Sequence, residues 1–191
     1  MGKTRFKKSM VLGLGLGVLD ASGNETIVVG TDGTLYHKGD ALQPIKTDTV
    51  LFTESNAGTY NGTVSLPAGA IIQDIIVHAT ALWTAGTSAA MDVGDYDADG
   101  DPIDADGFFA GVNLKATDLL AGESINFSHT GGQEGAYLDS PSADAHVEKR
   151  YSADARSIVG TVTSVGNGTG GRTLMTVVWL EPAVSAAVKA T

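Results

Sequence analysis

The sequence predicts an all-β protein, a β-sandwich of the jelly-roll type preceded by an extended N-terminal arm and a small hairpin. Three observations predict it. Apolar residues recur with a period of two in short runs. Twenty-five glycines interrupt the 191 residues, many beside Asn, Asp, Ser or Pro, which is turn chemistry. Nowhere does a 3.6-residue apolar period persist over the length of a helix. About eight short strands then suit two packed sheets.

Residues 1–45 form the first unit. Gly13, Leu14, Gly15, Leu16 and Gly17 alternate strictly, so the two leucines share one face of an extended segment. Ile27, Val28 and Val29, then Asp32 and Gly33, then Leu35, Tyr36 and His37 read as a hairpin, because Asp-Gly suits a primed two-residue turn. Pro44 ends the unit.

Residues 46–191 form the sandwich body. A strand at 60–66 leads into a turn at Pro67, Ala68, Gly69 and Ala70. In the run 71–83, Ile71, Ile75, Val77, Ala79, Ala81 and Trp83 occupy odd positions, with Asp74, His78 and Thr80 between them. That predicts a long half-buried strand with its odd side inward. Shorter strands follow at 89–93 and 108–114. Residues 124–129 alternate, with Ile125 and Phe127 inward. The runs 157–165 and 174–180 flank the glycine-rich stretch 166–172 as a long-looped hairpin. Helical signal is limited to single turns at 116–121 and 183–190.

Composition narrows function by exclusion. Without cysteine there are no disulfides, thiolate metal sites or cysteine nucleophiles. Twenty-two acids against twelve bases give a net charge of −10, which argues against nucleic-acid binding. The charge is unevenly placed. Lys3, Arg5, Lys7 and Lys8 put +4 on the first eight residues and leave −14 on the rest. A basic arm on an acidic body suggests an arm that reaches for another surface. Its contact candidates are Lys3, Arg5, Phe6, Lys7, Lys8, Leu12, Leu14 and Leu16. A secretory leader is the rival reading of this end. Glycines interrupt its apolar run, Asp20 closes it and no small-residue cleavage site follows, so we expect none. The run is also too short to cross a bilayer as a helix.

The sharpest local motif is acidic. Seven aspartates lie between Asp92 and Asp106. Asp95, Asp97, Asp99 and Gly100 fit a D-x-D-x-D-G loop whose twelfth position is Asp106. With Asp101, these form a candidate calcium set, because such a loop needs oxygens at alternate positions and an acid at the twelfth. Strand-like flanks and Pro102 favour instead a solvated loop joining two strands. The glycines at 13–17 lack the spacing and context of a phosphate loop. His37, His78, His129 and His146 meet no G-x-S-x-G elbow or H-E-x-x-H pair, so no catalytic residues are expected. Asn24, Asn61, Asn126 and Asn167 each begin an Asn-x-Ser/Thr triplet, read as turn chemistry. Lys149, Arg150 and Arg156, interleaved with Asp144, Glu148 and Asp154, read as a salt-bridged surface or subunit contact.

Several of these segments resemble the small virion proteins that decorate or cement the heads of tailed bacteriophages. The resemblance spans about residues 58–130. It is carried by the run from Tyr60 to Ile72 with its Leu66-Pro67-Ala68-Gly69-Ala70 turn, by Ala90, Met91, Asp92, Val93, Gly94 and Asp95 before the acidic loop, and by Gly107, Phe108 and Phe109. Gly23, Asn24, Glu25, Thr26 and Ile27 with Gly33, Thr34 and Leu35 also resemble phage structural proteins. The resemblance implies a jelly roll, made in the host cytoplasm, that binds the outer face of a capsid built from an HK97-fold major capsid protein. It further implies a trimer or dimer that bridges and stabilises capsid subunits, with no membrane partner. The alternative is a carbohydrate-binding or tail-associated adhesin module, for which Trp83, Tyr96, Phe108, Phe109 and Tyr137 are the stacking candidates.

Overall fold

A computed structural model of the chain describes residues 17–19, 25–29, 35–37, 45–115, 117–128, 132–138 and 149–181. The chain divides into two compact units, residues 1–44 with 182–191, and residues 45–181. In the first, β1 (Gly17–Leu19), β2 (Glu25–Val29) and β3 (Leu35–His37) form an antiparallel sheet in that order. The expected hairpin is β2–β3, with Ile27 opposite His37 and Val29 opposite Leu35. Its turn, the arm candidates Lys3 to Leu16 and the expected helical turn at 183–190 lie outside the described residues.

The second unit is a β-sandwich. Its strands are β4 (Ile45–Thr53), β5 (Gly58–Leu66), β6 (Ile71–Ala81), β7 (Ser88–Asp97), β8 (Pro102–Asn113), β9 (Ser124–Ile125), β10 (Arg156–Val165) and β11 (Arg172–Leu180). They form two antiparallel four-stranded sheets, ordered β4-β11-β6-β9 and β5-β10-β7-β8. Only the β7–β8 connection stays within one sheet; every other one crosses to the opposite sheet. The stretch 166–171 is therefore a crossover between sheets, not the expected hairpin loop. Residues 117–121 are turn and coil, with no helix.

The inner faces build one core. Val64, Leu66, Met91, Val93, Ile158 and Val162 come from one sheet, and Ile72, Ile75, Val77, Met175, Val177 and Trp179 from the other; all are buried. Each buried aliphatic side chain contributes about 2 kcal/mol relative to exposure. Gly62 and Gly160 sit directly opposite each other on β5 and β10. The missing side chains leave a notch for the Phe52 ring. A Cβ would lie 2.7 Å from Phe52 Cζ at Gly62 and 2.8 Å from it at Gly160.

Two strands depart from expectation for local reasons. In β6 the buried positions are Ile72, then Ile75, Val77 and Ala79. Trp179 pairs with Ile72 but Val178 pairs with Asp74, so Gln73 is an extra residue. That bulge flips the phase, turning Ile72 inward and Ile71 outward. The second departure is β4, which the sequence pattern does not reveal. It is an edge strand in which Phe52 alone is buried, so it has no two-period apolar run to detect.

One end of the sandwich is held by Glu54, just past β4 and 2% exposed. Its Oε2 accepts hydrogen bonds from Thr84 N (2.9 Å), Thr84 Oγ1 (2.8 Å), Gly170 N (2.9 Å) and Gly171 N (2.9 Å). This joins the ends of β4, β6 and β10–β11. Nearby, Tyr60 Oη donates to Asn56 O at 2.6 Å and accepts from Ser55 N at 2.8 Å. Trp83 meets the Tyr60 ring edge-on at 5.2 Å and donates from Nε1 to Thr173 Oγ1 at 3.0 Å. Burial pushes the Glu54 carboxyl up, but the hydrogen bonds from Thr84, Gly171 and Gly170 outweigh it and leave it below its ordinary value.

A depressed carboxyl stabilises the fold above its unfolded-state pKa, and that contribution disappears as pH falls through the folded-state value. Glu54→Gln therefore lowers unfolding stability at neutral pH by about 2–3 kcal/mol and flattens the loss of stability below about pH 4. Urea denaturation of both proteins across pH 3 to 7, as conditions of measurement, checks both effects.

Candidate interaction surface

The two outer faces of the sandwich differ in chemistry. Strand register places Leu51 beside Leu174, which neighbours His78, and places Thr47 beside Val178 and Ile45 beside Leu180, which neighbours Ile71. Ile76 lies beside Thr176, whose Oγ1 shares a 2.9 Å hydrogen bond with Thr49 Oγ1. The outer face of the β4-β11-β6 sheet thus combines seven aliphatic side chains with Thr47, Thr49, Thr176, His78 and the Asp74 that stands beside Val178. Ile45 is 68% exposed and Leu51 55% exposed, while Ile71, Ile76, Leu174, Val178 and Leu180 are half-buried. On the other sheet, Thr59, Asn61, Thr63 and Ser65 of β5 lie beside Thr163, Thr161, Val159 and Ser157 of β10. Ser157 and Thr161 in turn neighbour Tyr96 and Asp92 of β7. That face is built mainly of hydroxyls and amides.

The acidic segment is two strands and a tight turn. Asp95 pairs with Asp104 across the β7–β8 ladder. Asp97 Oδ1 accepts from Asp99 N at 3.0 Å and Asp101 N at 2.9 Å, which fixes the four-residue connection 98–101. Asp106 stands further along β8, its carboxyl close enough to that of Asp104 to act on it. Burial, reinforced by that contact, pushes the Asp104 carboxyl up. The five expected calcium ligands are therefore not gathered around one point. Among the described residues, no group of three or more His, Cys, Asp or Glu is placed to hold a metal ion.

Asp95 has a different role. Its Oδ2 lies 2.8 Å from Arg156 Nη1, and both side chains are 3% exposed. Arg156 Nη2 also donates to Arg150 O at 2.9 Å. Arg150 Nη2 donates to Gln73 O at 2.7 Å, and its guanidinium lies 5.4 Å from the centre of the Phe127 ring. The basic cluster expected on the surface instead has Arg156 in the interior, closing the end of the sandwich opposite Glu54. Neither partner is recognisable from sequence, because an Asp and an Arg 61 residues apart carry no local signal. Burial is the largest influence on the Asp95 carboxyl and pushes it up, and Arg156 only partly offsets this.

Of the expected stacking residues, Trp83, Phe108, Phe109 and Tyr137 are core side chains. Phe108 stacks on Phe127 at 5.6 Å and meets Tyr137 edge-on at 5.2 Å. Both Phe108 and Phe109 are buried because β8 bulges. It takes five steps from Asp104 to Phe109 where β7 takes two from Asp95 to Val93. Tyr96 alone of the five lies on a surface groove. Asn61 is an exposed residue of strand β5, not in a turn, whereas Asn126 Nδ2 donates to Asp74 Oδ2 at 3.0 Å. His78 is half-buried on β6; Asn24, His129, Asp144, His146 and Glu148 lie outside the described residues.

No protein-family model matches the chain, and no curated protein matches it. Solved structures of similar chains exist. A chain in the acidic stable capsid structure of Helicobacter pylori bacteriophage KHP30 is 16% identical, with 73% of this chain and 89% of that one covered at a TM-score of 0.48. A chain in the capsid of Ralstonia phage GP4 is 19% identical, covering 77% and 90% at 0.45. One in the cyanophage Pam1 capsid asymmetric unit is 16% identical, covering 77% and 92% at 0.38.

Asp95→Ala leaves Arg156 buried without its counter-charge and is expected to cost about 3–5 kcal/mol of stability. Replacing both residues by apolar side chains of similar volume should recover most of that loss. A double-mutant cycle by urea denaturation checks it.

Proposed function

We propose that this chain is a structural virion protein of a tailed phage that binds the outside of the capsid, bridges HK97-fold major capsid proteins and stabilises the shell. The observation that carries this reading is the one-sided aliphatic face of β4, β11 and β6. Contiguous exposed apolar surface on a soluble domain marks a protein contact. Here it runs to the free edge of β4, whose exposed Ile45 directly follows the first unit. The sequence supports the same reading. Segments between about 58 and 130 resemble head decoration proteins, and a +4 arm precedes a −14 body. We also read the winding as a jelly roll, since eight strands alternate between two four-stranded sheets with one within-sheet hairpin.

In this mechanism the aliphatic face seats on a subunit or on a second copy of the chain, giving a trimer or dimer. The arm, through Lys3, Arg5, Phe6, Lys7, Lys8, Leu12, Leu14 and Leu16, clamps a neighbouring capsid subunit. β-Addition is one means of such clamping. A shell gains from repeated weak contacts, because each engaged site raises the local concentration of the next.

Purified heads lacking the protein supply the assay. Leu51→Glu or Ile45→Glu, at exposed positions of edge strand β4, should weaken head binding at least about tenfold, the equivalent of 1.4 kcal/mol, with an unchanged melting temperature. Deletion of residues 2–40 should do the same. Undiminished binding by all three variants would overturn the proposal. In purified virions the copy number should stand in a fixed ratio to the major capsid protein.

A further inference from the structure

The face opposite the aliphatic one carries a groove of about 320 Å³. Its floor is the outer side of β5, β10 and β7, and one wall is the 98–101 turn. We propose that this groove binds a neutral saccharide, with Tyr96 against a sugar ring and Asn61, Thr63, Ser157 and Thr161 hydrogen-bonded to its hydroxyls.

Four observations carry the inference. First, register makes the polar side chains adjacent. Thr161 lies between Asn61 and β7, Val159 beside Thr63, and Ser157 beside Tyr96. They form a continuous array with Val159 as an apolar patch in its floor. Second, among the described residues no hydrogen bond uses the side chain of Asn61, Thr63, Tyr96, Ser157 or Thr161. A row of donors and acceptors with no side-chain hydrogen bond among the described residues matches a ligand that carries hydroxyls on most of its carbons. Third, the ligand side of the groove has one acid, Asp99, and no base. An anionic polymer finds no counter-charge there, whereas a single carboxylate beside hydroxyls suits a vicinal diol. The turn that presents Asp99 is fixed by the two hydrogen bonds onto Asp97 Oδ1.

Fourth, the centre of the groove is closed to strand addition. β10 is paired along nine residues to β5 and along ten to β7, so Ser157, Val159 and Thr161 offer a ligand only side chains, while β5, which carries Asn61 and Thr63, is the edge strand of this sheet. The volume is at the lower end of ligand clefts, about 300 Å³, enough for a short oligosaccharide. A half-buried Tyr whose ring is apolar and whose hydroxyl is wet suits the alternating C–H and O–H surface of a sugar.

This inference does not depend on the capsid reading, because it uses the opposite face. The fluorescently labelled full chain is applied to an array printed with neutral and with anionic oligosaccharides. The expected result is binding to a subset of neutral glycans, unaffected by EDTA. Tyr96→Ala should weaken it about tenfold, the scale of one aromatic contact, and Tyr96→Phe should retain most of it. Asn61→Ala and Ser157→Ala, surface changes that leave the fold intact, should each weaken it several-fold, so the test stands even if Tyr96→Ala misfolds. Head binding should be unchanged in all four variants. Absence of neutral-glycan binding, a preference for anionic glycans, or binding that survives Tyr96→Ala, Asn61→Ala and Ser157→Ala would overturn it.

Discussion

Two sheets laid face to face satisfy their backbone amides along the strands and leave them unsatisfied where the strands stop. Crossovers between sheets make this acute, because each one turns the chain over the open end of an apolar core. Buried amides without partners cost as much as a lost hydrogen bond. At one end the Oε2 of Glu54 gathers four donors from two crossovers. At the other, the Arg156 guanidinium, neutralised by Asp95, reaches the carbonyl of Arg150. These two charged closures let strands of one simple pattern be joined by loops rich in glycine. The core between them can then be almost wholly apolar, with Thr173 taken up by the Trp83 indole.

With both ends closed, the sandwich has two faces left to use, and they are different surfaces. Along β11, every outward position from Leu174 to Leu180 except Thr176 is aliphatic. Along β10, the outward positions alternate Ser157, Val159, Thr161, Thr163 and Val165. The same two-residue period that fills the core therefore also writes the two outer surfaces, one apolar and one hydroxyl-rich. A molecule seated by the first would display the second, with Tyr96 and the 98–101 turn facing away from the contact.

Much of this was legible in the sequence where burial enforces strict alternation. Strands β5, β10 and β11 and the first half of β7 follow it. It was illegible where one residue breaks the phase, as Gln73 does in β6, or where a strand has only one buried position, as in β4. The acidic segment was legible as a loop joining two strands. Its D-x-D-x-D-G spacing is shared by a cation loop and by a hairpin turn in which the carboxylate caps backbone amides, and the ladder pairs Asp95 with Asp104. The aromatic residues were less legible. A Phe-Phe pair cannot both face inward on a regular strand, so only the β8 bulge shows them to be core.

The winding has a consequence for how the molecule is made. Two of the four central strands, β10 and β11, come after all the other described strands of the sandwich in the chain, and each slots between strands made long before it. Ile45 waits for Leu180 and Gly58 for Ser164. Until those residues emerge from the ribosome, each sheet is a pair of separated halves with bare inner edges. Closure must then come late and all at once, which favours slow folding over long-range contacts. A nascent chain of this shape is vulnerable to sticking to its neighbours until its final strands arrive to lock it shut.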